Sequence, residues 1–214
     1  MSGIPRSGST VLASVLNQNP LLHTEPLSPL ADLMLTSHLS LDCEQTRAAK
    51  RGNHAKGMVS RLPEMYYENT NKPVVIDRSR AWTSAQMKPL LLEYFDNPKV
   101  LCTVRNRADV LKSFEKLFER NNKDFYKSPM YESFLVAEAT TSYAFNSRDP
   151  MYFFIDYDKL CENPKGILKE VYEFWELPFF IHNLNDIKQT TNEDDSVYGL
   201  IGMHDIKSSL GSFC

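Results

Sequence analysis

Residues 3–10 read GIPRSGST, with four residues between Gly3 and Gly8 and with Ser9 and Thr10 directly after. Glycines at this spacing let a backbone approach a phosphate closely. Ser7, Ser9 and Thr10 add hydroxyl donors and Arg6 adds a planar charged fork. Loops that hold nucleoside triphosphates carry lysine immediately before the final Ser/Thr, where it meets the β- and γ-phosphates. Ser9 stands there instead, so the loop suits an anion other than a triphosphate. A P-loop kinase stays second, because Asp77 closes the run VVID where a magnesium-binding carboxylate would stand.

The elements around the loop fit this chemistry. TVLASVLNQNP (10–20) has Val11, Leu12, Val15 and Leu16 at helical spacing and is closed by Asn19-Pro20. The loop therefore runs into a helix N-terminus, where free N–H groups and the dipole favour an anion. KPVVID (72–77), KVLCTV (99–104) and MYFFID (151–156) read as buried strands. Helical patterns cover 84–96, 107–121, 130–147 and 163–176, the last with Asn163 as cap and Pro164 in the first turn. This alternation predicts an α/β fold with a central parallel sheet flanked by helices in three layers. Its ligand belongs at the carboxyl ends of the strands. Only Met1 and Ser2 precede Gly3, so the first strand is very short or the natural chain begins upstream.

Composition narrows the classes. With 214 residues, 42% hydrophobic and 24% charged, the chain suits one globular domain over 1–214. A formal charge of -3 argues against a nucleic-acid binder. No apolar run approaches the ~18 residues of a membrane span. Cys43, Cys102, Cys161 and Cys214 are scattered, which disfavours zinc and a disulfide framework. With no signal peptide ahead of the loop, the expectation is a reducing, cytoplasmic setting.

GIPRSGSTVLASVLNQNP resembles the 5′-phosphosulfate loop of sulfotransferases, which use 3′-phosphoadenosine 5′-phosphosulfate (PAPS) as cofactor and sulfuryl donor. VLCTVRNRADVLKSF is similar to the family's second signature: Arg105 ends a strand, Asn106 and Asp109 open a helix, and Ser113 lies two turns in. FFIDYDKLCENPKGILKEVYEFWELP resembles a third segment and would place Tyr157 near the nucleotide. The resemblance implies a P-loop NTPase-like sulfotransferase fold and in-line transfer to a hydroxyl or amine, with no metal. Arg6, Ser7, Gly8, Ser9 and Thr10 would hold the 5′-phosphate, and Arg105 and Ser113 the 3′-phosphate.

Further roles follow by the same resemblance. Glu25, in LLHTEPLSP, stands where many such families place the base, and His23 competes with it because imidazole titrates near neutrality. Arg78 stands where relatives often have lysine against the transferring group, with Arg80 as the alternative. VYGLIGMHDIKSSL (197–210) would close over the nucleotide with Lys207 on a phosphate, or be a plain surface helix. The acceptor would be a small molecule, glycan or peptide. Arg47, Lys50, Arg51, Lys56 and Arg61 would steer an acidic one, unless they are a solvated helix face. A catalytically silent nucleotide-binding protein of this fold is the third reading.

Overall fold

The computed structural model describes residues 1–191 and 193–210. Strand β1 (Ser2–Gly3) leads through the loop into α1 (Ser9–Leu16), followed by β2 (Leu22–Thr24) and α2 (Leu30–Leu39). Three short helices, α3 (Glu44–Ala48), α4 (Gly52–Ser60) and α5 (Leu62–Tyr66), precede β3 (Val74–Ile76) and α6 (Met87–Tyr94). Then come β4 (Val100–Val104), α7 (Arg107–Arg120), α8 (Pro129–Ser147), β5 (Tyr152–Asp156), α9 (Tyr157–Glu162) and α10 (Pro164–Trp175).

All strand pairings are parallel: β1 with β4, β4 with β5, and β2 with β3. The groups β1-β4-β5 and β2-β3 abut where the Ser79 N–H donates to the Met1 carbonyl at 3.1 Å, giving the spatial order β2-β3-β1-β4-β5. Within this sequence β1 is two residues long. Gly3 lies at φ +123°, and a Cβ there would stand 2.1 Å from the Thr103 carbonyl oxygen, so only glycine lets β1 reach β4.

Alternation along the strands divides the core. Leu101 and Ile155 face α1, α9 and α10, where Leu12, Leu16, Leu160, Leu168 and Val171 are buried. Val100, Cys102 and Tyr152 face the opposite side, with Leu30 and Met34 of α2, Met87 and Leu91 of α6 and Ala144 of α8. The sheet is thus covered on both faces. A third cluster joins α7 to α8 through Phe114, Phe118, Phe125 and Phe134, with the Phe114 and Phe125 rings stacked at 4.4 Å. That aromatic packing fixes the face of α7 beside Ser113.

Helix starts obey local chemistry. Asn106 accepts from the Ala108 N–H at 2.9 Å to cap α7, and Asn163 accepts from the Gly166 N–H at 3.1 Å ahead of Pro164. β2 is not among the strands that the sequence pattern predicts. Three residues bounded by Asn19-Pro20 and Pro26 carry too little pattern to be seen as a strand. The segment 197–210 is not a surface helix: Asp195–Tyr198 is a single tight turn and the rest is irregular. Cys43 and Cys102 are free thiols, the burial of Cys102 pushing its pKa up to about 12, whereas Cys161 is disulfide-bonded, against the expectation of unpaired cysteines.

Candidate functional site

The loop is held by its own residues before it could hold anything else. Ser7 is buried, and its hydroxyl bonds to the side chain of Thr103 at 2.7 Å and donates to the Thr103 carbonyl at 3.0 Å. Its side chain therefore fastens the loop to β4, leaving the other loop residues for a ligand. Gly8 is the N-cap of α1 at φ +84°, and a Cβ there would stand 2.3 Å from the Tyr157 ring. Both glycines are thus required first by close approach within the protein. Arg6 sits at φ +63°, a conformation that costs a non-glycine residue about 1–3 kcal/mol and that recurs at functional sites.

Above the carboxyl ends of β1, β3 and β4 lies a cleft of about 250 Å³. Its lining includes Arg6, Gly8, Ser9 and Thr10 from the loop, Arg78 and Arg80 beyond β3, Arg105 and Ser113 beyond β4, and Tyr157. Met203, His204 and Lys207 close another side. Of the site residues expected from the sequence, Glu25, His23 and the Ser7 side chain lie outside this lining. Glu25 and His23 are instead one pair: Glu25 Oε1 stands 2.8 Å from His23 Nε2. The backbone carbonyl of Glu25 accepts from Arg78 at 3.2 Å, so the pair adjoins the cleft.

Arginine dominates the electrostatics of the cleft. Arg6 donates from Nε to the Ser113 hydroxyl at 3.1 Å and from its fork to the Met203 carbonyl. Arg78 is 2% exposed and donates to the Thr10 hydroxyl at 3.2 Å. Arg105 lies 4.5 Å over the Tyr157 ring. The Nε atoms of Arg78 and Arg105 are buried without a partner. Burial pulls the pKa values of Arg6, Arg78 and Arg80 below the ordinary guanidinium value, and the neighbouring Arg105 charge adds to the effect on Arg6. Arginines elsewhere do pair with carboxylates, at Arg47, Arg107 and Arg120. Among the described residues Arg6, Arg78, Arg80 and Arg105 pair with none. Four cations with no carboxylate at ion-pair distance, and with Glu193, Asp195 and Asp205 acting on them only from farther away, make a site for an anion with more than one negative group.

Asp77, the carboxylate on which a kinase reading depends, is occupied by the protein. It accepts from Tyr67 and from the Trp82 indole, both at 2.6 Å, and from Ser28. No group of three metal-ligating side chains occurs among the described residues.

The sequence reading missed a cluster at the cleft edge. His204 stands with Nδ1 2.5 Å from Asp195 and 3.5 Å from Glu193. No local period marks it, since the three residues share neither a helix nor a strand.

Solved structures resemble the fold, among them two sulfotransferase domains. The sulfotransferase domain from the curacin biosynthetic pathway superposes with a TM-score of 0.54 at 18% identity, over 99% of this chain and 84% of that one. The sulfotransferase domain from the Synechococcus PCC 7002 olefin synthase gives 0.56 at 19% identity, over 96% and 81%. No curated protein matches the chain. The model of the sulfotransferase family matches residues 1–180, a span that contains the loop, the Arg105–Ser113 segment and Tyr157, and the chain belongs to that family.

Proposed function

We propose that the protein transfers a sulfuryl group from PAPS to a hydroxyl or amine acceptor by in-line displacement, without a metal. The observation that carries this reading is the cleft with four arginines and no carboxylate paired to them. A donor with phosphates at two positions supplies direct anionic partners for these arginines, and PAPS brings an already activated sulfuryl group.

The residues fit it as follows. The N–H groups of the loop and of the first turn of α1, with Ser9, Thr10 and Arg6, hold the 5′-phosphate and take up charge as the leaving group departs. Arg105 and Ser113 hold the 3′-phosphate, and Lys207 adds a cation from the C-terminal segment. Tyr157 keeps Arg105 in place through the ring beneath it. Arg78, tied to Thr10 and to the Glu25 carbonyl, donates toward the transferring group. In this reading the His23–Glu25 pair, which adjoins the cleft through the Arg78 bond to the Glu25 carbonyl, faces the acceptor and orients the incoming hydroxyl.

The acceptor is a small molecule, glycan or peptide. Two of the five basic residues between 45 and 61 are already neutralised, Arg47 by Asp42 at 2.8 Å and Lys56 by Glu93 at 2.6 Å. That leaves Lys50, Arg51 and Arg61 to steer an acidic acceptor. A kinase would need Asp77, whose oxygens are engaged by Tyr67, Trp82 and Ser28.

Calorimetry tests the donor. Adenosine 3′,5′-bisphosphate binds without magnesium and ATP binds far more weakly; tight ATP binding with none of the bisphosphate overturns the reading.

A further inference from the structure

The cleft contains one imidazole among its lining residues, and its surroundings prepare it for proton transfer. The His204 side chain is 8% exposed, with Asp195 Oδ1 at 2.5 Å from Nδ1 and Glu193 Oε2 at 3.5 Å. Asp195 is itself fixed, since its other oxygen accepts from the N–H groups of Met203 at 2.7 Å and His204 at 3.3 Å. Burial works against ionisation of Asp195, yet the hydrogen bonds from His204 and Met203 prevail and hold its pKa below the usual carboxylate value. A charged carboxylate on Nδ1 requires the proton there and leaves the lone pair on Nε2. Nε2 has no hydrogen-bond partner among the described residues, and His204 lines the cleft.

Position agrees with this chemistry. The Glu193 side chain is 7% exposed, one of its oxygens accepts from the Leu27 N–H at 3.1 Å, and the other is buried without a hydrogen-bond partner among the described residues. Leu27 belongs to the same connection as Glu25. Glu193 and Arg78 attract one another, as do Asp195 and Arg6. The cluster therefore bridges the donor loop and the acceptor side. The charged and titratable groups facing His204 are Glu193, Asp195 and Tyr198, whose ring centroid lies 6.1 Å away, with Arg6 and Arg78 beyond them.

We infer that His204, oriented by Asp195, is the general base that takes the acceptor's proton; this rests on the sulfuryl-transfer reading above. As the acceptor O–H bond breaks, its proton goes to Nε2 and the oxygen's electron pair forms the new O–S bond. The S–O bond to the donor phosphate breaks with its electron pair left on the phosphate oxygen. The imidazolium then returns its proton to solvent.

The test uses the whole chain, radiolabelled PAPS and phenol as the probe acceptor, whose hydroxyl keeps its proton below about pH 9. His204→Asn lowers kcat by about 100-fold or more and abolishes the acid limb of kcat/KM. It leaves the Kd for adenosine 3′,5′-bisphosphate within about threefold. Asp195→Asn lowers kcat with the Kd for the bisphosphate unchanged, because Nδ1 loses the carboxylate that fixes the tautomer. Retention of the acid limb in His204→Asn, or a Kd that weakens in step with kcat, overturns the assignment. Where phenol is refused, the nitrogen NMR spectrum of labelled His204 decides: a neutral ring with its proton on Nδ1 is expected, and a proton on Nε2 overturns it. Failure of the unaltered protein to bind the bisphosphate overturns the sulfuryl-transfer reading itself.

Discussion

Arg6 and Ser113, 107 residues apart in the chain, are joined by a 3.1 Å hydrogen bond from the guanidinium Nε to the serine hydroxyl. The donor loop and the helix after β4 therefore form one anion site. Hydrogen bonds to charged partners contribute about 1.5–3 kcal/mol, so Ser113→Ala is expected to weaken adenosine 3′,5′-bisphosphate binding by roughly tenfold or more. Because the two side chains share a bond, Ser113→Ala and Arg6→Ala should cost less together than the sum of their separate effects. Calorimetry on the four proteins of the cycle checks this, and unchanged affinity in Ser113→Ala removes Ser113 from the phosphate site.

Gly8→Ala tests the ring that supports Arg105. The new methyl would stand 2.3 Å from the Tyr157 ring at a backbone φ of +84°, so the ring must move and its contact with Arg105 must loosen. A loss of about 1–3 kcal/mol in urea unfolding is expected, together with weaker bisphosphate binding. Gly57→Ala is the contrasting case. Gly57 lies inside α4 with open space where its Cβ would be, and the change should stabilise the protein by up to about 1 kcal/mol. Equal effects at the two glycines would mean that the contact with Tyr157 is unimportant.

Much of this site could be read before folding because its signals are local. Arg105 ends a β-branched strand, Asn106 caps the next helix, and apolar residues recur at helical spacing through α10. Contacts between distant segments gave no such signal. Ser7 looked like a ligand donor because a hydroxyl in a glycine loop has that appearance from sequence, whereas its partner Thr103 lies on another strand. His204 and its carboxylates are brought together by an irregular segment with no period to detect. The His23–Glu25 pair was nearer to hand, since residues two apart in extended chain share a face, but β2 itself had escaped notice.

Asp77→Ala separates structural from metal chemistry. It leaves the Tyr67 hydroxyl, the Trp82 N–H and the Ser28 hydroxyl without their common acceptor, and unpaired buried donors cost about 1–3 kcal/mol each. The expected result is a destabilisation of about 3 kcal/mol in urea unfolding, with some donors recovering water. Transfer by the unaltered protein should be indifferent to magnesium. A stable Asp77→Ala protein, with magnesium-dependent turnover in the parent, would restore the kinase reading.

His182 should give the protein an acid-sensitive margin of stability away from the cleft. It is 8% exposed, bonds through Nε2 to the Tyr172 hydroxyl at 3.0 Å, and has Nδ1 buried without a partner. Burial holds its pKa below the usual value, so the folded state prefers the neutral ring. The unfolded chain then binds more protons below about pH 6.5, and stability falls as pH drops through that value toward the folded pKa. Below the folded pKa the slope from this residue vanishes, because both states are protonated. His182→Gln removes the titrating group and should flatten the dependence of urea stability on pH just below about 6.5. An acid slope equal to the parent's would show that His182 ionises alike in both states and that its burial carries no linkage.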